Sequence, residues 1–505
     1  MLSLWDWKHC AFASLTGFIL FSSSSLLIAQ PRKILNQEKI KTEACLIPGT
    51  QADFLQQMVG VSDVLPPPLR ADSLIRISEQ IKNHCPSHAS KLLAKAFDVA
   101  ERVKETTPYL SIARLADSRA GTRAKVSILA MDRLSLQSRA ILVLASLKSD
   151  DAIQLFQRMS LPRPEVTGCA SLGVPDTSIY YAALTQVLKI SSTKAGNHRI
   201  LHTDETFELL QNTVDATTAP QQLSPLLEML KHASISSNEL SQLLNSLASR
   251  IEQFPFDDRA LSVAGSGAVD VIDKLSHLTG GAEVNYPLLH AFEKYLTNGV
   301  HGPHCSPDAH TRPASLSVYE AFNQKLAVNP GIKPLQLDSF ATTIETNGQE
   351  IMYWKSDKSK ELLMEAKHLT FDNDWLRYVN DQSNSSEWRA RIETILNKVH
   401  NWRESDEIDA ADYYHEKCIL INGILSKLTV ADPMYDKVLD DLVNTFEESS
   451  LQMDRPAEWY WEVLKLVHAS KRDETGKAAS AVRAALSRSR NGYLPTIAIL
   501  MGFLN

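Results

Sequence analysis

Glycine (19) and proline (22) are sparse in these 505 residues, and no stretch alternates apolar and polar residues as a half-buried strand does. A sheet-built fold is therefore set aside. No CxxC pair occurs among the six cysteines, so the signatures of zinc ribbons and thioredoxin-type redox sites are missing. Basic charge is not in excess either. Lys and Arg number 52 against 59 Asp and Glu, a net charge of −7, which argues against a nucleic-acid partner. Outside the N-terminus the apolar runs are too short to span a bilayer.

What is present is a helical composition: hydrophobic residues make up 44% and charged residues 22%, with Leu and Ala leading the apolar set. Both lose little entropy in a helix. Residues 1–29 combine Lys8, an uncharged apolar stretch from Ala11 to Ala29 and a polar continuation from Pro31. That pattern reads as a secretory signal, cleaved after Ala29 or, with Ser23 at the −3 position, after Ser25. The alternative is an uncleaved membrane anchor through residues 10–29, since the apolar run approaches the ~20 residues a span requires. Removal of the signal takes Cys10 with it and leaves Cys45, Cys85, Cys169, Cys305 and Cys418, an odd number in an exported chain.

A polar tether, 30–48, precedes a helical array, 49–328; an irregular connection, 329–352, leads to a second helical region, 353–505. Leu74, Ile75, Ile77 and Ile81 make one apolar face, and Leu92, Leu93, Ala96, Phe97 and Ala100 make the next. The two form a helical hairpin. A second hairpin spans 139–159, with Ser149 or Asp150 expected as its N-cap. Short gaps between successive helices favour antiparallel neighbours. The expected fold is all-α: antiparallel helical pairs in a degenerate HEAT- or tetratricopeptide-like α-superhelix with irregular loops. The apolar segment Tyr493–Leu504 is expected to cap it.

The densest cluster of ligand-type side chains lies in 301–310, His-x-x-His-Cys-x-x-Asp-x-His. The preceding helix carries His290 and is expected to stop at Asn298-Gly299. His301, His304 and His310, with Cys305 and Asp308, are the natural ligand types for zinc. A zinc-bound water would make this a hydrolase. The competing expectation is a disulfide from Cys305 to Cys169, both in Pro/Gly-rich loops where the backbone can meet the required Cα separation. That bond would remove Cys305 from any metal. Cys45 and Cys85 are then available for a second bond, and Cys418, among Ile419, Leu420 and Ile421, reads as a buried free thiol.

Other motifs fail on inspection. His415-Glu416 lacks the second histidine of a zincin, because position 419 is Ile. Gly265-Ser266-Gly267 lacks the glycines of a nucleophile elbow and reads as a kinked helical turn. Ser191-Ser192-Thr193-Lys194 stands without its companion elements. The acids of 404–416 lack an EF-hand's spacing and glycine, and Asp409 or Asp412 is expected to cap a helix. Trp459-Tyr460-Trp461 points in different directions around a helix and is expected to serve the core.

The signal, the Val174-Pro175-Asp176 helix start with Tyr180-Tyr181, and the Tyr413–Cys418 helix together resemble exported all-helical bacterial proteins of unknown function. The resemblance implies no activity. With no complete catalytic motif in the chain, the expected role is binding or scaffolding of a protein or peptide partner outside the cytoplasm. The metal-dependent hydrolase at 301–310 is the alternative.

Overall fold

The computed structural model describes residues 49–503, apart from 112–116, 168, 170–172, 194–202, 279–281, 307–314, 330, 338–342, 346–351, 372–384, 404–408, 451–455 and 491. The chain from Ala44 to Asn505 forms one compact unit. It is helical almost throughout. In order come α1 (Gly49–Ser62), α2 (Pro67–Ile81), α3 (Pro86–Ala100), α4 (Arg119–Ser127), α5 (Arg133–Ala145), α6 (Ser149–Gln157) and α7 (Ser178–Thr193). Then follow α8 (Thr203–Asp215), α9 (Leu223–Lys231), α10 (Ser237–Ile251), α11 (Asp258–Leu278), α12 (Ala282–Val300) and α13 (Leu316–Lys325). The last are α14 (Asp357–Phe371), α15 (Ser385–Asn401), α16 (Ala410–Leu425), α17 (Tyr435–Ser450), α18 (Pro456–Ser470), α19 (Lys477–Arg488) and α20 (Tyr493–Phe503). Among the described residues no helix is long and apolar enough to cross a membrane.

Local chemistry sets many of the boundaries. Pro67 and Pro86 open α2 and α3 at positions where a missing N–H costs nothing. Ser118, Asp132 and Asp409 accept hydrogen bonds from the first-turn amides of α4, α5 and α16. Ser236 and Glu239 bond each other's backbone at the start of α10, closing a capping box. The N-cap of α6 is Lys148, not Ser149 or Asp150. Both are absorbed into the first turn, where Asp150 meets the helix dipole favourably. Gly265 sits at φ 58 inside α11 and kinks it, as its sequence suggested. The break at Asn298-Gly299 does not occur: α12 runs on to Val300. Gly299 is needed there for space. A Cβ would come within 2.5 Å of both the Phe256 ring and the Tyr319 hydroxyl.

Packing follows two rows. α3, α5, α7, α9, α11 and α13 each touch the next in that series, and α8, α10 and α12 form another. Sequential neighbours such as α2 and α3, or α16 and α17, pack as hairpins. The apolar faces read from the sequence are the ones buried: Leu74, Ile75, Leu93, Ala96 and Phe97 are fully enclosed. The first and last described helices also meet. α20 packs on α19 and on α1, while α18 packs on α2 and α4.

Among the described residues, four three-residue strands escape the all-helical expectation. β1 (Tyr109–Ser111) pairs antiparallel with β2 (Gly173–Pro175), and β3 (His304–Ser306) pairs parallel with β4 (Thr343–Glu345). They are loop-to-loop clasps, too short to carry any alternation. β3 contains Cys305, which is bonded to Cys169 across a Cα separation of 5.2 Å. This is the expected pair. Cys85 is also disulfide-bonded, whereas Cys45 lies outside the described residues. Cys418 is a free, buried thiol, as expected.

The 169–305 bond closes a loop of 136 residues. The chain-entropy view puts its effect on the unfolded state at about 4–5 kcal/mol, and measured values often fall lower. The double variant Cys169→Ser, Cys305→Ser is therefore expected to lose at least about 2 kcal/mol in urea unfolding at neutral pH. A loss below about 0.5 kcal/mol would mean that the unfolded chain does not feel the link.

Candidate functional site

The histidine-rich loop 301–310 follows the end of α12. His301 is exposed at the end of α12, and His310 and Asp308 lie outside the described residues. His304 is fully buried, and its Nδ1 lies 2.9 Å from Oδ1 of Asp258, which is buried as completely. Cys305 is spent on the disulfide, and its backbone N–H donates to Oδ2 of the same aspartate at 2.9 Å. Ser315 donates its hydroxyl to Asp258 as well. Among the described residues no group of three or more His, Cys, Asp or Glu side chains is placed to hold a metal.

The loop is held by three consecutive residues at the start of α11. Asp257 caps the helix through Ala260 N–H at 3.0 Å and accepts from Thr167 N–H at 2.6 Å. Asp258 collects the His304 loop. Arg259 donates from Nε and a terminal nitrogen to the Cys169 carbonyl, at 3.0 and 2.7 Å. Both sides of the disulfide are thus fixed from one helix end. Phe256 and Tyr319 meet the His304 ring edge to face and wall it off from water. A buried carboxylate demands this number of donors. The arrangement is a structural clasp.

A different place has the features of a ligand site. A cavity of about 460 Å³ lies between the 104–108 segment, α4, the start of α5 and the start of α18. Its apolar walls include Pro108, Val126, Met131 and Ala457, and its polar lining includes Lys104, Glu105, Arg123, Asp132 and Glu458. Arg133 and Leu134, in the first turn of α5, donate their backbone N–H groups to the carbonyls of Glu105 and Thr106. The Arg133 guanidinium adds bonds to the Val103 carbonyl. That wall is consequently rigid. Just before Asp132, Ala130 adopts φ 50, and it is the one non-glycine with positive φ among the described residues.

Burial sorts the charged lining. Lys104, Glu105 and Arg123 are exposed at the rim. Asp132 and Glu458, each 7% exposed, form the floor. Burial pushes the Asp132 carboxyl up to about 6, against the lowering effect of its bonds with Ser135. Behind Glu458 sits His415, also buried. Its Nε2 lies 3.4 Å from Glu458 and its Nδ1 3.4 Å from Glu462, one turn further along α18. Burial alone would lower the imidazole's pKa, but the two carboxylates outweigh it and hold it above the usual histidine range. Glu462 is held below the usual carboxylate range: burial opposes this, and His415 and Lys465 prevail.

The assembly is locked by contacts between distant parts of the chain. Tyr353 stacks on His415 with ring centroids 5.6 Å apart, and its hydroxyl hydrogen-bonds Thr122 of α4 at 2.7 Å. Arg119 of α4 donates from Nε to both oxygens of Asp412, at 2.7 and 2.9 Å, and also pairs with Asp409. Trp459 is buried and donates its indole N–H to the Phe446 carbonyl, so it serves the core as expected. Burial raises the Cys418 thiol well above its usual range and leaves it unreactive.

None of the floor residues was singled out from the sequence as a site. α4 itself, a nine-residue helix of strongly polar composition, has too few apolar residues to announce itself. The spacing of Glu458 and Glu462 was the available signal, since residues four apart share one helix face. No protein-family model matches this chain, and a search of curated proteins returns no match.

Asp132 gives the site a measurable pH dependence. Its folded value, about 6, lies above the ~3.9 of an unfolded aspartate. Between these values the folded state binds more protons, so stability falls as pH rises, by up to about 3 kcal/mol at order of magnitude. Asn caps a helix as well as Asp does. Asp132→Asn should therefore remove that loss, gaining on the wild type in urea unfolding between pH 4 and 6.5. His415 acts separately, because its raised value makes stability decline only above the unfolded ~6.5. A wild-type-to-variant difference that is constant from pH 4 to 6.5 would show that the Asp132 carboxyl titrates normally.

Proposed function

We propose that this chain is an exported protein of degenerate helical pairs, wound as a HEAT- or tetratricopeptide-like superhelix, that binds a protein or peptide partner. Its ligand site is the cavity between α4, α5 and α18. The observation that carries this reading is the cavity itself. It combines apolar walls with two buried carboxyl groups, on a frame fixed by backbone hydrogen bonds. The left-handed Ala130 at its edge supports the same reading, because strained backbone concentrates at binding sites. The serial rows of helices support the repeat architecture. The Cys169–Cys305 bond suits an oxidising compartment, in keeping with removal of residues 1–29 on export.

The metal-hydrolase alternative at 301–310 has lost its thiolate to the disulfide and has His304 committed to Asp258. Among the described residues of the loop, no group of three ligand-type side chains converges.

Ser127, half-buried at the lip of the cavity, offers a way to fill it. Ser127→Trp should abolish capture of the partner from envelope extract while shifting unfolding stability by no more than about 0.5 kcal/mol, the usual range for a surface change. Identical partners recovered by variant and wild type, or none above background with the wild type, would contradict the assignment.

A further inference from the structure

The division between rim and floor in the cavity goes further than a generic binding site. Its buried polar atoms are carboxylic, from Asp132 and Glu458. Its cations, Lys104 and Arg123, stand at the exposed rim; Arg123 keeps 65% of its side chain in solvent and lies 4.0 Å from Glu458. Between rim and floor run the apolar surfaces of Pro108, Val126, Met131 and Ala457. A ligand matching this gradient has an apolar stem and a cationic tip. Lysine and arginine side chains have that build, with methylene groups that pack on apolar walls and a charged head that seeks carboxylates.

We propose that the cavity receives a lysine or arginine side chain of the partner peptide, its methylenes along Val126 and Met131 and its head between Asp132 and Glu458. This rests on the reading of the cavity as a peptide site and adds the identity of the anchoring residue. Ile128, 76% exposed at the end of α4, offers an apolar contact for the residue beside the anchor. The rim cations repel a basic side chain weakly, because they are solvated and free to swing aside.

The floor also couples the site to pH. The bound cation and the proton compete for Asp132, so binding weakens as pH falls. Glu458 is shared with His415, and a cation on its cavity side disfavours the imidazolium behind it. The groups acting on this pair are Glu462, Lys465 and Arg123, with Tyr353 stacked on the ring and Asp412 and Glu416 on its own helix. Asp176 adds a weak repulsion to ionised Asp132, and Ser135 holds one of its oxygens. Binding of the basic residue should therefore release protons, and affinity should rise between pH 5 and 7.

The test is calorimetric titration of the full disulfide-bonded protein with four blocked tripeptides, Gly-X-Gly, where X is lysine, arginine, norleucine or glutamate. The lysine and arginine peptides should bind at least tenfold more tightly than the other two. Asp132→Asn and Glu458→Gln should each weaken them about tenfold, and lowering the pH from 7 to 5 should do so severalfold. Arg123→Ala alters only an exposed side chain and should tighten them two- to fivefold, which keeps the result readable should Glu458→Gln fold poorly. Preferential binding of the norleucine or glutamate peptide would overturn the basic anchor while leaving the cavity as a peptide site. Equal binding of all four, or indifference to Arg123→Ala and Asp132→Asn together, would also overturn it. Absence of binding by every peptide at 10 mM would remove both the anchor and the peptide site.

Discussion

The contact on which the candidate site depends is the return of α18 onto α2 and α4. Helical arrays built from neighbour contacts alone leave their two ends free. Here the last third of the chain comes back to the first. The cavity takes its floor from Asp132 on one side of that junction and Glu458 on the other. Arg119 and Asp412, 293 residues apart, hold it: the guanidinium Nε donates to both carboxylate oxygens, and a terminal nitrogen pairs with Asp409. Partly shielded from water, the pair is screened by salt less than one between fully exposed side chains. Tyr353 adds a second tie, touching α4 through Thr122 and α16 through His415.

Polar burial is managed in two different ways in this molecule. At the start of α11, Asp258 is enclosed and supplied with donors from His304, Cys305 and Ser315. Every donor comes from the loop it organises, and the result is rigid and shut. At the α4–α18 junction the carboxyls of Asp132 and Glu458 are buried along one side only, with the cavity on the other. Burial raises Asp132 into the range where it exchanges protons near neutrality. The first arrangement stabilises; the second leaves chemical potential open for a ligand. The buried imidazole bridges Glu458 and Glu462 on one face of α18 and couples their charges.

The helices were legible in the sequence because their apolar faces are strong and their breaks are marked by proline and capping residues. Leu92, Leu93, Ala96 and Phe97 declared one face unambiguously, and all are buried. The Cys169–Cys305 bond was legible too, since both residues stand in loops that can meet disulfide geometry. The cavity was not. Its residues come from segments far apart in the chain, and no local period connects Asp132 with Glu458. α4 is short and polar, so its role appears only when α18 covers it. The histidine loop is legible only in part, since His310 and Asp308 lie outside the described residues. Clustering in sequence suggested convergence on a metal, whereas His304 turns inward to an aspartate 46 residues earlier and His301 turns outward to solvent.

Two segments far apart in the chain, α4 with the start of α5 and α18, create the site jointly, and hydrogen exchange tests this most directly. Asp412→Ala removes the carboxylate that Arg119 grips but leaves the cavity lining unchanged. If the junction is one cooperative unit, exchange should accelerate together in 119–127 and 456–470, with 316–325 of α13 keeping its wild-type protection. Acceleration in 119–127 alone, with 456–470 as protected as before, would contradict it: α4 and α18 would then be independent, and the cavity between them incidental.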